Sequence, residues 1–80
     1  MDLAQHFGLA VRRHRELMRL SQEELADRAG LDRSYIGRVE RGEQNASLSN
    51  LQKISQALGS DLDVLFATAR ELATKSGEQS

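Results

Sequence analysis

Apolar residues recur along this chain at spacings of three and four, the period of a helix with one buried face. The first such segment runs from about Leu3 to Arg19. Leu3, Phe7, Ala10 or Val11, His14, Leu17 and Met18 form its stripe, and Arg12, Arg13, Arg15, Glu16 and Arg19 mostly lie off it. Ser21-Gln22-Glu23-Glu24 has the capping-box form, in which the serine accepts from the N3 amide and the glutamate reaches back. It starts a second helix with Leu25, Ala26 and Ala29 inward, which Gly30 ends. A third follows from Leu31 to Gly42, with Asp32 placed to cap its start and Gly42 to close its end. Ser47 caps a fourth, whose stripe is Leu48, Leu51, Ile54, Ala57 and Leu58, and Gly59 closes it. A fifth starts at Ser60-Asp61 and carries Leu62, Leu65, Phe66, Ala69, Leu72 and Ala73. From Thr74 the chain turns polar. The expected organisation is one domain over residues 1–73 and a disordered tail over 74–80.

The pattern predicts an all-α, compact five-helix fold. Its second and third helices are short and joined by a tight glycine-containing turn, the layout of a helix-turn-helix. The third helix has two unlike faces. Ile36 and Val39 face the core. Arg33, Ser34, Gly37, Arg38 and Arg41 fall on the other side, with no acid among them. A glycine in mid-helix costs about 1 kcal/mol against alanine, and an exposed Gly37 would let another molecule approach closely. Arginines and a hydroxyl at the start of a short helix suit phosphates and base edges in a DNA major groove. The same face, taken alone, also fits a solvated helix surface.

Composition narrows the alternatives. Eighty residues allow one small core. The absence of cysteine removes disulfides and thiolate metal sites and favours a cytoplasmic protein. No apolar run is long enough to span a bilayer, and no signal-peptide pattern opens the chain. Proline is absent, in keeping with uninterrupted helices. His6 and His14 stand too far apart for a metal pair and have no further ligand at a useful spacing, so both are expected at the surface or half buried, with no metal or cofactor. No convergent polar constellation supports an enzyme. Net charge is −1, so a DNA-binding footprint must be local. Residues 1–41 carry about +1 and residues 42–80 about −2.

Ser21-Gln22-Glu23-Glu24-Leu25-Ala26, Ala29-Gly30-Leu31, Ser34-Tyr35-Ile36-Gly37-Arg38-Val39-Glu40-Arg41-Gly42, Ser47-Leu48-Ser49-Asn50-Leu51 and Ala57-Leu58-Gly59 together resemble the Cro/C1-type (XRE) helix-turn-helix family. The resemblance covers about residues 8–67, and the Arg-Ser-Tyr-Ile piece is most similar to restriction–modification controller proteins. It implies a lambda-repressor-like domain that binds pseudo-palindromic operators as a homodimer. It assigns Arg33, Ser34 and Arg38 to base edges, and Gln22, Tyr35, Asn45, Ser47 and Asn50 to the DNA backbone, with Gln22 also bracing the reader helix. Tyr35 fits a ring covering the core edge equally well. Arg41 could reach phosphate or remain solvated. Arg15 and Glu40 match a structural ion pair between helices 1 and 3. Alanine stands at position 46 where the family often has proline, and Arg19-Leu20 where it often has glycine, so the loop after helix 3 is expected to be looser.

The function expected is sequence-specific duplex DNA binding for transcriptional control, as repressor or autoregulatory controller. An antitoxin-like or adaptor module on the same fold is the alternative. No membrane and no small-molecule ligand is expected. For the dimer, Leu62 and Leu65 are assigned to the core, and Phe66, Ala69 and Leu72 to the interface.

Overall fold

The computed structural model describes residues 3–78, with side chains to Lys75. Its helices are α1 (Leu3–Leu17), α2 (Gln22–Ala29), α3 (Arg33–Glu40), α4 (Leu48–Leu58) and α5 (Leu62–Glu78). The core is built from all five: Phe7 and Val11 of α1, Leu25 and Ala26 of α2, Ile36 and Val39 of α3, Ile54 and Leu58 of α4, and Leu65 of α5. α1 packs mainly on α5 and α3, and α2 packs on α3 and α4.

The predicted stripes of α1 and α4 are buried or half buried over most of their length and depart from expectation at a few positions. Leu3 and Leu17 are exposed at either end of α1, as is Leu48 at the start of α4, and Met18 just past α1 is partly so. His6 departs the other way. It is buried, and its Nε2 has no hydrogen-bond partner. His14 is half buried, with Nε2 3.0 Å from Thr68 Oγ1 and Nδ1 3.5 Å from Ser60 Oγ.

The caps explain where the helices stop. Ser21 Oγ accepts from the Glu24 amide at 3.0 Å and Glu24 accepts from the Ser21 amide at 2.9 Å. The Glu24 carboxyl is accordingly held below the usual range, chiefly by the Ser21 backbone bond. Ser47 Oγ accepts from the Asn50 amide at 3.2 Å. Asp32 does not cap as expected. Its side chain makes no cap hydrogen bond and stays exposed, while its carbonyl accepts from the Tyr35 and Ile36 amides. At the end of α1, Arg19 takes the left-handed conformation (φ 58°), and the Leu20 amide reaches back to the Arg15 carbonyl. A non-glycine residue there costs about 1–2 kcal/mol. The buried Leu20 side chain gives that turn an apolar anchor.

Two expectations for the C-terminal half change. α5 continues to Glu78, through the stretch from Thr74 where fraying was predicted. Once a helix is nucleated, each further residue adds a bond at little cost, and no proline stops it. Ala46 packs against the core, which anchors the loop after α3 without a proline.

Candidate nucleic-acid interface

The C-terminal end of α3 is fixed by a buried polar hub. Glu40 Oε2 accepts from Arg15 Nε at 2.7 Å, and Oε1 accepts from Arg15 Nη2 at 3.1 Å and from Gln22 Nε2 at 3.0 Å. Arg15 Nη1 also donates to the Leu20 carbonyl at 2.8 Å. The side chains of Arg15 and Glu40 are 12% and 3% exposed. The hydrogen bond to Glu40 raises the Arg15 pKa above its ordinary value, against the opposing effect of burial. The expected pair is therefore formed, and it joins three helices: Arg15 brings α1, Gln22 brings α2 and Glu40 belongs to α3.

Gly8 lets α1 come this close. A Cβ there would run into the Val39 carbonyl oxygen and stand 2.7 Å from that of Glu40. Gly42, just past α3, is left-handed (φ 74°), and a Cβ on it would lie 2.8 Å from the Cα of Gln5. Backbone is packed on backbone at both points.

The outer face of α3 is open. Arg33 and Ser34 are exposed and Arg38 is half buried. Together with Gln22, Gly37, Arg41 and Glu43 they line a shallow groove of about 370 Å³. Gly37 is buried, contrary to expectation, because the Arg41 side chain folds over it. An added Cβ would meet Arg41 Nη1 at 3.1 Å and Gln22 Oε1 at 3.7 Å. Arg41 Nε donates to Glu43 at 2.9 Å, in a pair whose two side chains are both more than half exposed. Tyr35 is half buried against the core, and its hydroxyl accepts from Asn50 Nδ2 at 3.1 Å. The Arg38 guanidinium carbon lies 5.9 Å from the Tyr35 ring centroid, within cation–π range. Asn45 and Ser47 are exposed on the following loop.

Elsewhere, Phe66 is 39% exposed, with its ring 5.1 Å from that of Phe7, and Leu72 is half buried. Ala69 is fully buried within the single chain. The assignment of Ala69 to a dimer interface is therefore corrected to core, because a side chain with no exposed surface in one chain has none to offer a second copy.

The groove thus presents cations and a hydroxyl on a short helix whose far end is locked. The helix-turn-helix model matches residues 11–65, most of the chain and all of the site. The chain belongs to the helix-turn-helix family. Among its relatives are the control protein C.SmaI of Serratia marcescens, 40% identical over 96% of this chain and 90% of that one, and the control protein C.MunI of a Mycoplasma species, 43% identical over 82% and 90%. Among solved structures it is similar to the restriction-modification controller protein C.AhdI of Aeromonas hydrophila. That match has a TM-score of 0.76, 47% identity, and covers 78% of this chain and 94% of that one. This helix-turn-helix protein is a DNA-binding transcriptional regulator. No helix among its described residues is long and apolar enough to cross a membrane.

Two residues that shape the interface carried little signal in the sequence. Gly8 is an isolated glycine among good helix formers, which is a hint of close approach. Glu43 lies in a loop distinguished only by its polarity, and its place on the groove wall comes from a backbone bond to α3.

Proposed function

We propose that the chain reads a pseudo-palindromic operator as a homodimer, with Arg33, Ser34 and Arg38 on base edges. Gln22, Tyr35, Arg41, Asn45, Ser47 and Asn50 then flank the DNA backbone. The observation that carries the reading is the coexistence of this open cationic face with the buried Glu40 hub behind it. A major-groove reader needs side chains free to meet bases on a helix held at a set angle. Arginine forks onto guanine O6 and N7, and serine can donate or accept. The relatives named as control proteins and the solved restriction-modification controller protein support a regulatory role in a restriction–modification system, and in this reading the regulated genes include its own. With no small-molecule ligand in this reading, the chain's own concentration sets operator occupancy.

One reader helix covers too few base pairs to compete against a genome of other sites. Two, about 34–36 Å apart on a two-fold axis, read two half-sites. Exposed Phe66 and half-buried Leu72 are the apolar material for that axis. Selection of bound sequences from random duplexes tests the whole reading: enrichment of a two-fold symmetric site is expected, and recovery of unenriched sequence would defeat it. For the axis, Phe66→Glu should give a folded monomer in sedimentation, since a carboxylate would face its own copy. A variant that stays dimeric removes Phe66 from the interface.

A further inference from the structure

Glu43 is an acid on the wall of the groove that faces DNA in this reading. Its backbone amide donates to the Arg38 carbonyl at 2.9 Å, which ties it to the last turn of α3. Its carboxylate accepts from Arg41 Nε at 2.9 Å and is held below the usual carboxylate range, first by that bond and further by the charges of Arg41 and Arg38. The guanidinium it holds lies over Gly37, inside the groove. Of the three arginines in the lining, Arg33 and Arg38 are the two that the proposed function puts on base edges. Glu43 neutralises the third, which is the one placed for phosphate.

We propose that Glu43 is a specificity-determining residue that withholds Arg41 from the DNA backbone until a matched site is engaged. The proposal rests on the DNA-reading function above. Binding to arbitrary sequence is almost entirely phosphate neutralisation. A phosphate that approaches Arg41 must displace a charge-assisted bond and then lie near the released carboxylate, which is anchored beside it. On a wrong sequence nothing compensates for that exchange, so Arg41 stays on Glu43 and the protein has one fewer cation for DNA. On a matched site the base contacts of Arg33, Ser34 and Arg38 hold the groove against the duplex, and Arg41 transfers to phosphate. The protein's low net charge acts in the same direction, by keeping general affinity modest.

The test compares wild type, Glu43→Gln, Arg41→Gln and the double variant on two duplexes, the sequence recovered by selection and a scrambled version of equal length. Binding is measured from 50 to 200 mM salt. Both members of the pair are more than half exposed, and such pairs contribute little to stability, so all four proteins should melt alike. Glu43→Gln should bind the scrambled duplex more tightly, with a salt slope steeper by about 0.9. Its advantage there should shrink about three- to fourfold between about 50 and 200 mM, by the same slope. The slope on the selected site should stay as in wild type, so the specificity ratio falls. In the Arg41→Gln background, Glu43→Gln should leave both slopes unchanged. An unchanged scrambled-DNA slope, an equal change on both duplexes, or the same change without Arg41 would each overturn the proposal. A wild type that binds neither duplex overturns the DNA-reading function itself, and is told apart because no variant is needed to see it.

Discussion

At the C-terminal end of α3, Glu40 accepts three hydrogen bonds from two other helices, and α1 rests through Gly8 on the carbonyls of Val39 and Glu40. On the outer face of the same helix, Arg33 and Ser34 stand in solvent. The two regions lie within eight residues, and they divide the work. Buried charge must be fully partnered, since a stranded ion costs far more than a lost contact. Exposed arginines keep their rotamer freedom and hydration until a ligand replaces both. The fixed end therefore sets the helix angle and carries stability, and in the proposed function the open face carries selectivity. Substitutions in the two regions should move different measurements.

The largest effect should come from the hub. Glu40→Ala leaves Arg15 nearly buried with no carboxylate, a loss of about 3–5 kcal/mol. A domain of this size shifts by about 4–8 °C per kcal/mol, so calorimetry should show a midpoint lowered by more than about 10 °C. Whatever protein remains folded should keep its base preference. A midpoint within about 1 °C of wild type would mean the hub is not what holds α3.

The two glycines give a sharper contrast. Alanine at Gly8 meets backbone carbonyls that cannot yield without moving α1 from α3, and overpacking of this kind costs about 1–3 kcal/mol. Alanine at Gly37 meets the far end of a flexible arginine, which can swing aside. Gly8→Ala should lower the melting midpoint. Gly37→Ala should hold or raise it, by up to about 1 kcal/mol of helix propensity. Equal losses at both positions would erase the distinction between the regions.

On the open face, Arg33→Ala should leave the midpoint unchanged and weaken the selected site by about 1–3 kcal/mol, relaxing preference at one base pair per half-site. Equal losses on selected and scrambled duplexes would reassign Arg33 to the backbone.

The division also explains how much was legible in the sequence. Helix number, caps and the inward faces of Ile36, Val39, Ile54 and Leu65 follow from periodicity and from Ser21, Gly30, Ser47 and Gly59, which act locally. Periodicity gives the direction a side chain points but not how far its neighbour extends. Leu3, Leu17 and Leu48 were therefore expected inside and are exposed, and Ala69 was expected outside and is buried. His6 was expected no deeper than half buried, yet it is buried. The Arg15–Glu40 pair spans 25 positions and came from the family resemblance, not from any local rule. The Arg41–Glu43 bond spans only two, yet depends on a left-handed Gly42 that turns the loop back onto α3. The outer arginines were legible as a face, but not the acid that tempers it.

Gln22 belongs to both regions, and its variant should show the smallest effect. Its Nε2 donates to Glu40, while its Oε1 lies near Gly37 in the groove. The carboxylate accepts only, so that orientation of the amide is forced; in the proposed function Gln22 also meets the DNA backbone. Gln22→Ala removes one of Glu40's three donors. Because Gln22 is only half buried, water can replace that donor, and stability should fall by about 1 kcal/mol, far less than for Glu40→Ala. Binding should weaken by a similar factor on selected and scrambled duplexes, since a backbone contact positions without specifying. The salt slope should hardly change, because the amide is neutral and displaces no counterion. Melting and salt-dependent binding on one preparation check both halves. A changed base preference at unaltered general affinity would move Gln22 wholly onto the reading face. An unchanged affinity with a lowered midpoint would leave it wholly in the hub.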